Sequence, residues 1–501
     1  MRPLDLTLPS DLMLGILPEL VLSAWSLLVL LVAAWRHRTD EDSRLAGRIS
    51  LAGLVLAFAV TLSMWLGGAQ SEGLPHMVAV DGFRFAGTAL LLLVSIGVNL
   101  FAIDYLPRER MPAPEFYVLL LLGTAGLTFM AAATDLMLLF LGLELMSVAV
   151  YVLAGYDRRS AVSAEGALKY FLIGAFASGF LLYGIALIYG ATGTTNEVMA
   201  GVQLSQRVPL MAGLGLGLLL VGFAFKVAAV PLHAWAPDVY DGSPTPVTTF
   251  MAAGVKAAAF LALARLLLTT FPGASDLWRP AVWGLAAVTM IVGNLIALQQ
   301  RSLKRLLAYS SVAHAGYLLA ALWPGSPRGT GALLLYLAAY AVTTVAAFGL
   351  LQAIGRNGER EVTLDTLAGL ARERPWLAAG FAVAMLSLLG FPGTIGFIGK
   401  WAILSALVEA GQGTLAVIMV VTSVVSAGYY LPVVMAAYMR PLPPGVSHEA
   451  VGLPRPAAAV VVVAIVVIVA FGVWPAQALD LGIASAATLA RQGVALLGVV
   501  P

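Results

Sequence analysis

Residues 225–260 read FKVAAVPLHAWAPDVYDGSPTPVTTFMAAGVKAAAF. Two lysines, Lys226 and Lys256, stand here among apolar and small residues, and Pro231 and Pro237 interrupt the run. Proline has no backbone N–H and clashes with the preceding turn, so a helix arriving from residue 209 has to bend or stop at these positions. The runs on either side, 209–230 and 245–271, each exceed the roughly 20 residues that cross a bilayer as a helix. The segment therefore reads as a membrane helix broken in mid-course, followed by a second span with a lysine inside it. Backbone exposed at such a break is tolerated only within protein or along a wet cavity.

The rest of the chain agrees. Its 501 residues are 60% hydrophobic and 11% charged, against about 25% charged in soluble domains. Fourteen spans are expected: 12–35, 47–66, 85–104, 115–133, 135–154, 167–190, 209–230, 245–271, 277–298, 304–323, 330–355, 376–408, 414–438 and 457–475. Alternating ten-residue barrel strands are absent, so the fold class is an all-α polytopic membrane protein. The tail 476–501 is apolar and rich in small residues, and reads as an interfacial segment or a weakly marked end. A net charge of +2 without a basic tail or stripe gives no reason to expect nucleic acid. The absence of cysteine excludes thiolate-held iron–sulfur clusters, cysteine zinc sites and disulfides in this chain. Gly213, Gly215 and Gly217 resemble a nucleotide loop but lie in an apolar run, where close helix packing is expected instead. Residues 1–20 lack a basic n-region beyond Arg2 and do not read as a cleavable signal.

Basic residues in the loops orient the spans. One side holds Arg36, Arg38, Arg44, Arg48, Arg108, Arg110, Arg158, Arg159, Arg301, Lys304, Arg305, Arg356, Arg360, Arg372, Arg374, Arg440 and Arg455. The other holds Arg2, Arg84, Arg207, Arg279, Arg328 and Arg491. The richer side faces the cytoplasm by this rule, which puts both termini in the periplasm of a bacterial inner membrane.

Lysine usage carries the function. Of 28 basic residues only Lys169, Lys226, Lys256, Lys304 and Lys400 are lysine. All but Lys304 fall inside apolar segments, and Lys304 sits at a loop edge beside Arg301 and Arg305. A lysine at mid-membrane costs roughly 2.5–3.5 kcal/mol on insertion scales. One such residue can snorkel or pair locally; four ask for a reason. A buried ammonium can release its proton, whereas arginine stays charged. Glu144 stands at the centre of the fifth span, in LGLELMSV. An anion near a lysine holds its proton, and moving the anion away releases it; a static ion pair with Lys169 or Lys226 is the structural alternative. Ser310, His314 and Tyr317 recur at i, i+4 and i+7, on one helix face, and can relay protons through water. His233, near the inner end of the seventh span, is placed to admit protons. Either histidine is equally readable as a satisfied core residue.

The twelfth span contains LLGFPGTIGFIGKW from Leu388, in which Pro392 and Gly393 should break the helix just before Lys400. Spans four to eight and nine to thirteen thus form two sets of five, each with a broken fourth member and a lysine at the break. Five is odd, so the second set is inverted relative to the first, a plan common in transporters. The implied division is 1–111 for three leading helices, 112–273 and 274–440 for the repeats, and 441–501 for a last helix and tail.

Together GLELMSVAVYVLAGY (142–156), ALKYFLIGAFASGFLLYG (167–184), residues 225–260, KRLLAYSSVAHAGY (304–317) and GFPGTIGFIGKW (390–401) resemble the antiporter-like subunits of respiratory complex I over nearly the whole chain. APDVYDGSPTPVT (236–248) resembles the N type, counterpart of mitochondrial subunit 2. Lys400 argues against the M type, which usually has a glutamate on the twelfth span, and the length leaves no room for the lateral helix of the L type. The resemblance implies a proton-translocating subunit of an NADH–quinone oxidoreductase. NADH, flavin, iron–sulfur clusters and quinone would be held by partner subunits, and no redox chemistry would occur in this chain. It implies Glu144 and Lys226 as the input charge pair, Lys256 as central carrier, Lys400 as output carrier and Lys169 as a further lysine near Glu144. His233 and His314 fall where the family has hydrated polar residues. Sibling antiporter-like subunits, the bilayer, water and protons are the implied partners. Alternatives are the same fold in a photosynthetic plastoquinone-reducing complex, a membrane-bound hydrogenase or a multisubunit Na+/H+ antiporter. A stand-alone solute transporter and a passive scaffold remain rival classes.

Overall fold

A computed structural model describes residues 4–35, 39–72, 77–111, 114–355, 362–442 and 452–496. Arg2, Arg36, Arg38, Arg356 and Arg360, used above for orientation, lie outside the described residues. The chain is a bundle of helices: α1 Leu17–Trp35, α2 Asp40–Leu66, α3 Gly82–Arg108, α4 Glu115–Ala132, α5 Leu136–Ala154, α6 Ala161–Thr192, the short α7 Glu197–Gln206, α8 Leu210–Lys226 and α9 Trp235–Gly242. They continue with α10 Thr245–Thr269, α11 Ser275–Ala297, α12 Leu303–Leu322, α13 Pro327–Ile354, α14 Pro375–Leu389, α15 Ile395–Glu409, α16 Gly413–Met439, α17 Arg455–Val473 and α18 Ala476–Leu496. Eleven of the described helices are long and apolar enough to cross a membrane. The other three expected spans correspond to α12 and to two interrupted pairs, α8/α9 and α14/α15.

Helix ends follow local chemistry. Asp81, Asp135, Ser160, Ser302, Ser326 and Thr394 each accept from backbone N–H groups in the first turn of the helix they precede, satisfying donors that have no intrahelical partner. The twelfth expected span stops at Gly390, which takes φ +86°, the left-handed geometry that closes a helix C-terminus at little cost only for glycine. In α10, residues Phe250–Val255 form a π-turn immediately before Lys256. Nothing in the residue pattern anticipated this turn, which leaves one backbone register displaced where the lysine emerges.

One helix pair is packed alike in both sets of five. First and second members meet through glycine. A Cβ on Gly126 of α4 would lie 2.6 Å from the Gly142 carbonyl of α5, and one on Gly293 of α11 would lie 2.7 Å from the Ala313 nitrogen of α12. Gly215 sits against Gly184, where a Cβ would come within 2.9 Å of a carbonyl oxygen; the glycine run in α8 packs helices. Without a solvent-driven hydrophobic force in lipid, such close backbone approach is how helices associate. α10 and α13 are the most enclosed spans, 94% and 89% buried over their apolar windows, whereas α17 is 28% buried. The bundle therefore has a wrapped interior built around Lys256 and a lipid-facing outside. The tail forms α18 and docks back on α3, where the Thr488 hydroxyl accepts from the Phe83 N–H at 3.0 Å.

Candidate proton-relay site

Lys226 is the last residue of α8 and is 3% exposed. Its amine donates to Ser147 Oγ at 2.7 Å and lies over the rings of Tyr151, Tyr170 and Phe225 at 5.4–5.7 Å. Cation–π contacts of this kind are electrostatically favourable to an ammonium. Glu144, Ser147 and Tyr151 share one face of α5. Glu144 is half-buried and accepts from Ser178 of α6. The acid and the amine thus form no ion pair: each has a serine hydroxyl as its partner instead, Ser178 for Glu144 and Ser147 for Lys226. The broken backbone is repaired locally: Trp235 Nε1 donates to the Phe225 carbonyl at 3.1 Å, and the Val230 N–H reaches Thr289 Oγ1 at 3.0 Å. Pro231 and half-buried His233 lie in the break, and His233 Nδ1 has no hydrogen-bond partner among the described residues.

Lys169 departs from the apolar surroundings expected of it. It is 43% exposed and pairs with Glu165 at 2.7 Å and Asp238 at 2.9 Å, while Asp238 also takes Arg305 at 3.0 Å. Asp238 is on α9, so this cluster braces the break at the end of the bundle. Lys304 departs in the opposite sense. It is fully buried and donates to the Ser243 carbonyl at 2.7 Å. A loop-edge position is no guide here, because a long aliphatic stem lets an amine at a helix start fold inward to a carbonyl freed at a neighbouring helix end.

Lys256 is 1% exposed and donates to both the carbonyl and the hydroxyl of Ser311 on α12. Tyr340 of α13 donates to the same hydroxyl at 2.8 Å and offers its ring to the amine at 5.5 Å. On the next turn of α12, His314 is held from both sides: Nδ1 by the Tyr336 hydroxyl at 2.7 Å and Nε2 by the Tyr430 hydroxyl at 3.1 Å. Tyr430 also bonds Ser310. Asn294 Nδ2 donates to the Tyr317 hydroxyl at 3.3 Å, and Tyr429 donates to Asn294 Oδ1 at 2.9 Å. Ser310, His314 and Tyr317 therefore do share a face, and that face is buried against tyrosines.

Lys400, 5% exposed, closes the row. Its amine lies 4.8 Å from the Tyr317 ring centre and donates at 2.8 Å to both Ser423 Oγ and the Leu389 carbonyl. That carbonyl is free because α14 ends there, at the break containing Pro392 and Gly393. A Cβ on Gly390 would lie 2.8 Å from Lys400 Cδ, so the glycine is required by both its φ and the lysine beside it. None of Lys226, Lys256 and Lys400 is in an ion pair among the described residues. Each is held by hydroxyls, carbonyls or aromatic faces, which solvate an amine whether or not it carries the extra proton. The residue pattern missed Ser147, Ser311, Ser423, Tyr336, Tyr340, Asn294, Tyr429 and Tyr430. Ser147 and Tyr151 were detectable at i+3 and i+7 from Glu144, and Tyr336 and Tyr340 at i and i+4 in an apolar helix. Glu19, without a role in the sequence, is buried in a bidentate pair with Arg84 at 3.0 Å.

A bundle with two interrupted helices and an interior row of unpaired lysines defines an antiporter-like membrane subunit. The family described as NADH:quinone oxidoreductase/Mrp antiporter, transmembrane, matches residues 133–426, more than half of the chain. Subunit N of NADH-quinone oxidoreductase from Gemmatimonas aurantiaca is 44% identical over 93% of this chain and 92% of its own length. A chain in the structure of respiratory complex I from Thermus thermophilus is 39% identical, with a TM-score of 0.77 over 92% of this chain and 98% of that one. A chain of the Mrp complex from Dietzia is 25% identical, with a TM-score of 0.85 over 97% of this chain and 100% of that one. The chain belongs to the NADH-quinone oxidoreductase subunit N family.

Proposed function

We propose that this chain translocates protons in the membrane arm of an NADH–quinone oxidoreductase, through a relay that runs from Glu144 and Lys226 by way of Lys256 to Lys400. The observation that carries this reading is the row of three buried amines, each without a carboxylate partner among the described residues and each beside hydroxyl-bearing residues: Ser147 at Lys226, Ser311 and Tyr340 at Lys256, Tyr317 and Ser423 at Lys400, with Ser310, Tyr430 and Tyr336 around His314. Burying an uncompensated charge is expensive, and a protein that retains three such groups in one chain supplies each with donors and acceptors suited to both protonation states.

In physical terms, an anionic Glu144 near Ser147 favours the ammonium at Lys226. Weakening that interaction, by moving or neutralising Glu144, lets Lys226 pass a proton toward Lys256. Lys256 hands it through Ser311 and the tyrosine–histidine set to Lys400. His314, bonded at both ring nitrogens, transfers a proton equivalent when its two tyrosine bonds reverse direction. His233 supplies the aqueous end of the input half, and Lys169 with Asp238 braces the break beside it. NADH oxidation and quinone reduction belong to partner subunits that hold the flavin and iron–sulfur groups, and this chain contributes no redox step. Sibling membrane-arm subunits, the bilayer and water are its partners. Its place is a bacterial inner membrane with both termini periplasmic, by the arginine distribution in the loops.

The test uses native membranes carrying Lys256→Met, after confirming assembly. Loss of both NADH–quinone turnover and NADH-driven proton uptake is expected. Wild-type turnover with full proton uptake would overturn the relay and leave a scaffold.

A further inference from the structure

Away from the lysine row, at the end of the bundle opposite Asp238, six ionisable side chains are buried together. They are Glu19 of α1, Asp81 before α3, Arg84 of α3, Asp135 before α5, Glu197 of α7 and Arg265 of α10, each no more than 6% exposed. Two pairs balance: Arg84 grips both oxygens of Glu19 at 3.0 Å, and Arg265 grips both oxygens of Asp81 at 2.8 and 3.1 Å. Asp135 is served by the N–H groups of Met137 and Leu138 and by the Thr195 hydroxyl at 2.6 Å. That leaves Glu197, 1% exposed, whose carboxyl has one hydrogen-bond contact among the described residues, Thr269 Oγ1 at 3.2 Å.

The Thr269 hydroxyl also lies 2.7 Å from the Arg265 carbonyl. One hydrogen cannot serve both contacts well, and the shorter one claims it. A proton on the Glu197 carboxyl supplies the missing hydrogen, donated to the threonine oxygen. Charge counting gives the same answer: both guanidiniums are committed, so an ionised Glu197 would be a buried anion without a dedicated cation.

We infer that Glu197 is a proton-binding carboxyl at the end of the Lys256 helix, neutral at physiological pH and able to exchange its proton with the aqueous phase on that side. The charged groups acting on it are Arg265, which favours the anion, and Asp135, which opposes it. Burial is the largest influence and pushes the carboxyl up to about 8.

Position links this site to the relay. Thr269 is on α10, the helix that carries Lys256. On α3, Arg84, Thr88, Ser95 and Asn99 fall on one helical face. Thr88 has a buried hydroxyl without a partner among the described residues, and Val94, next to Ser95, lies beside Gly254. Two hydroxyls on this face of α3 thus lie between the level of the buried charges and that of Gly254, two residues before Lys256. A role for Glu197 as a release group for the first half rests on the proton-translocation reading; its being a protonated carboxyl does not.

The assembled complex is compared with its Glu197→Gln variant by acid–base infrared difference spectroscopy. A protonated-carboxyl band that titrates on the alkaline side of neutral in the wild type and is missing from E197Q is expected. Identical spectra would overturn the assignment. Thr269→Val, which removes the partner hydroxyl, serves if E197Q does not assemble: a displaced midpoint supports the site, and an unmoved one counts against it. Proton uptake in E197Q is read separately. Loss of its alkaline pH limb supports release through Glu197, and an unchanged profile alongside a lost band removes that role while leaving the protonated site.

Discussion

Arg265→Met is the perturbation whose outcome the buried charges fix most tightly. Arg265 is 1% exposed and its partner Asp81 4%, and the two are joined by two short bonds. Removing one partner of a buried pair leaves an uncompensated charge and costs about 3–5 kcal/mol. At about 1.4 kcal/mol per tenfold, that is on the order of a hundred- to several-thousand-fold in the folded population. Asp81→Asn keeps an oxygen for the Arg84 N–H that caps α3, so the double variant loses the stranded charge without losing the cap. It should recover most of the deficit. The pH dependence gives a second check. Burial pushes the Asp81 carboxyl up, but Arg265, together with the N–H and charge of Arg84, outweighs it and holds the group below its ordinary value of 3.8. A depressed carboxyl contributes stability that is present above the unfolded value and lost as pH falls through the folded one. In R265M burial is opposed only by the N–H and charge of Arg84, the carboxyl rises, and acidification protonates the stranded group. The deficit of R265M relative to wild type should therefore shrink as pH falls from neutral. Thermal unfolding of the purified complex, followed by dissociation of this subunit across pH, measures both. A variant as stable as wild type at neutral pH, or a deficit that grows on acidification, would refute the reasoning.

Gly390→Ala forces a side chain into a left-handed position, at about 1–2 kcal/mol, and drives Lys400 off the Leu389 carbonyl. The complex should assemble with sharply reduced proton uptake, and full uptake in reconstituted vesicles would count against the role of that contact. Lys169→Met and Lys226→Met should separate: the first removes a half-exposed brace and leaves turnover near wild type, while the second empties a buried position and abolishes coupled uptake. Equal loss in both would place Lys169 in the relay after all.

Much of this was legible before any coordinates. The breaks at Pro231 and at Pro392 and Gly393 follow from residues that stop or weaken a helix, and the buried places of Lys226, Lys256 and Lys400 follow from apolar neighbours on both sides. Lys169 and Lys304 show the limit. Both sit near helix starts, where the flanking sequence is mixed. Whether such an amine turns out to a carboxylate or in to a carbonyl depends on which helix end lies opposite. The π-turn before Lys256 and the tyrosines around His314 were equally hidden, since a tyrosine in an apolar helix reads the same facing lipid or facing another hydroxyl.

Composition and local pattern, by themselves, determined that the chain crosses a membrane many times, where two of its helices break, and that lysine rather than arginine enters the apolar spans. These are properties of single segments, set by backbone hydrogen bonding and by the cost of charge in lipid. Tertiary packing alone decided which lysines lack a counter-charge, that Lys226 reaches Ser147 rather than Glu144, and that Glu197 is buried beside an arginine already committed to another acid. Such relations join residues far apart in the chain, as Asp81 and Arg265 are, and no periodicity within either segment encodes the partner.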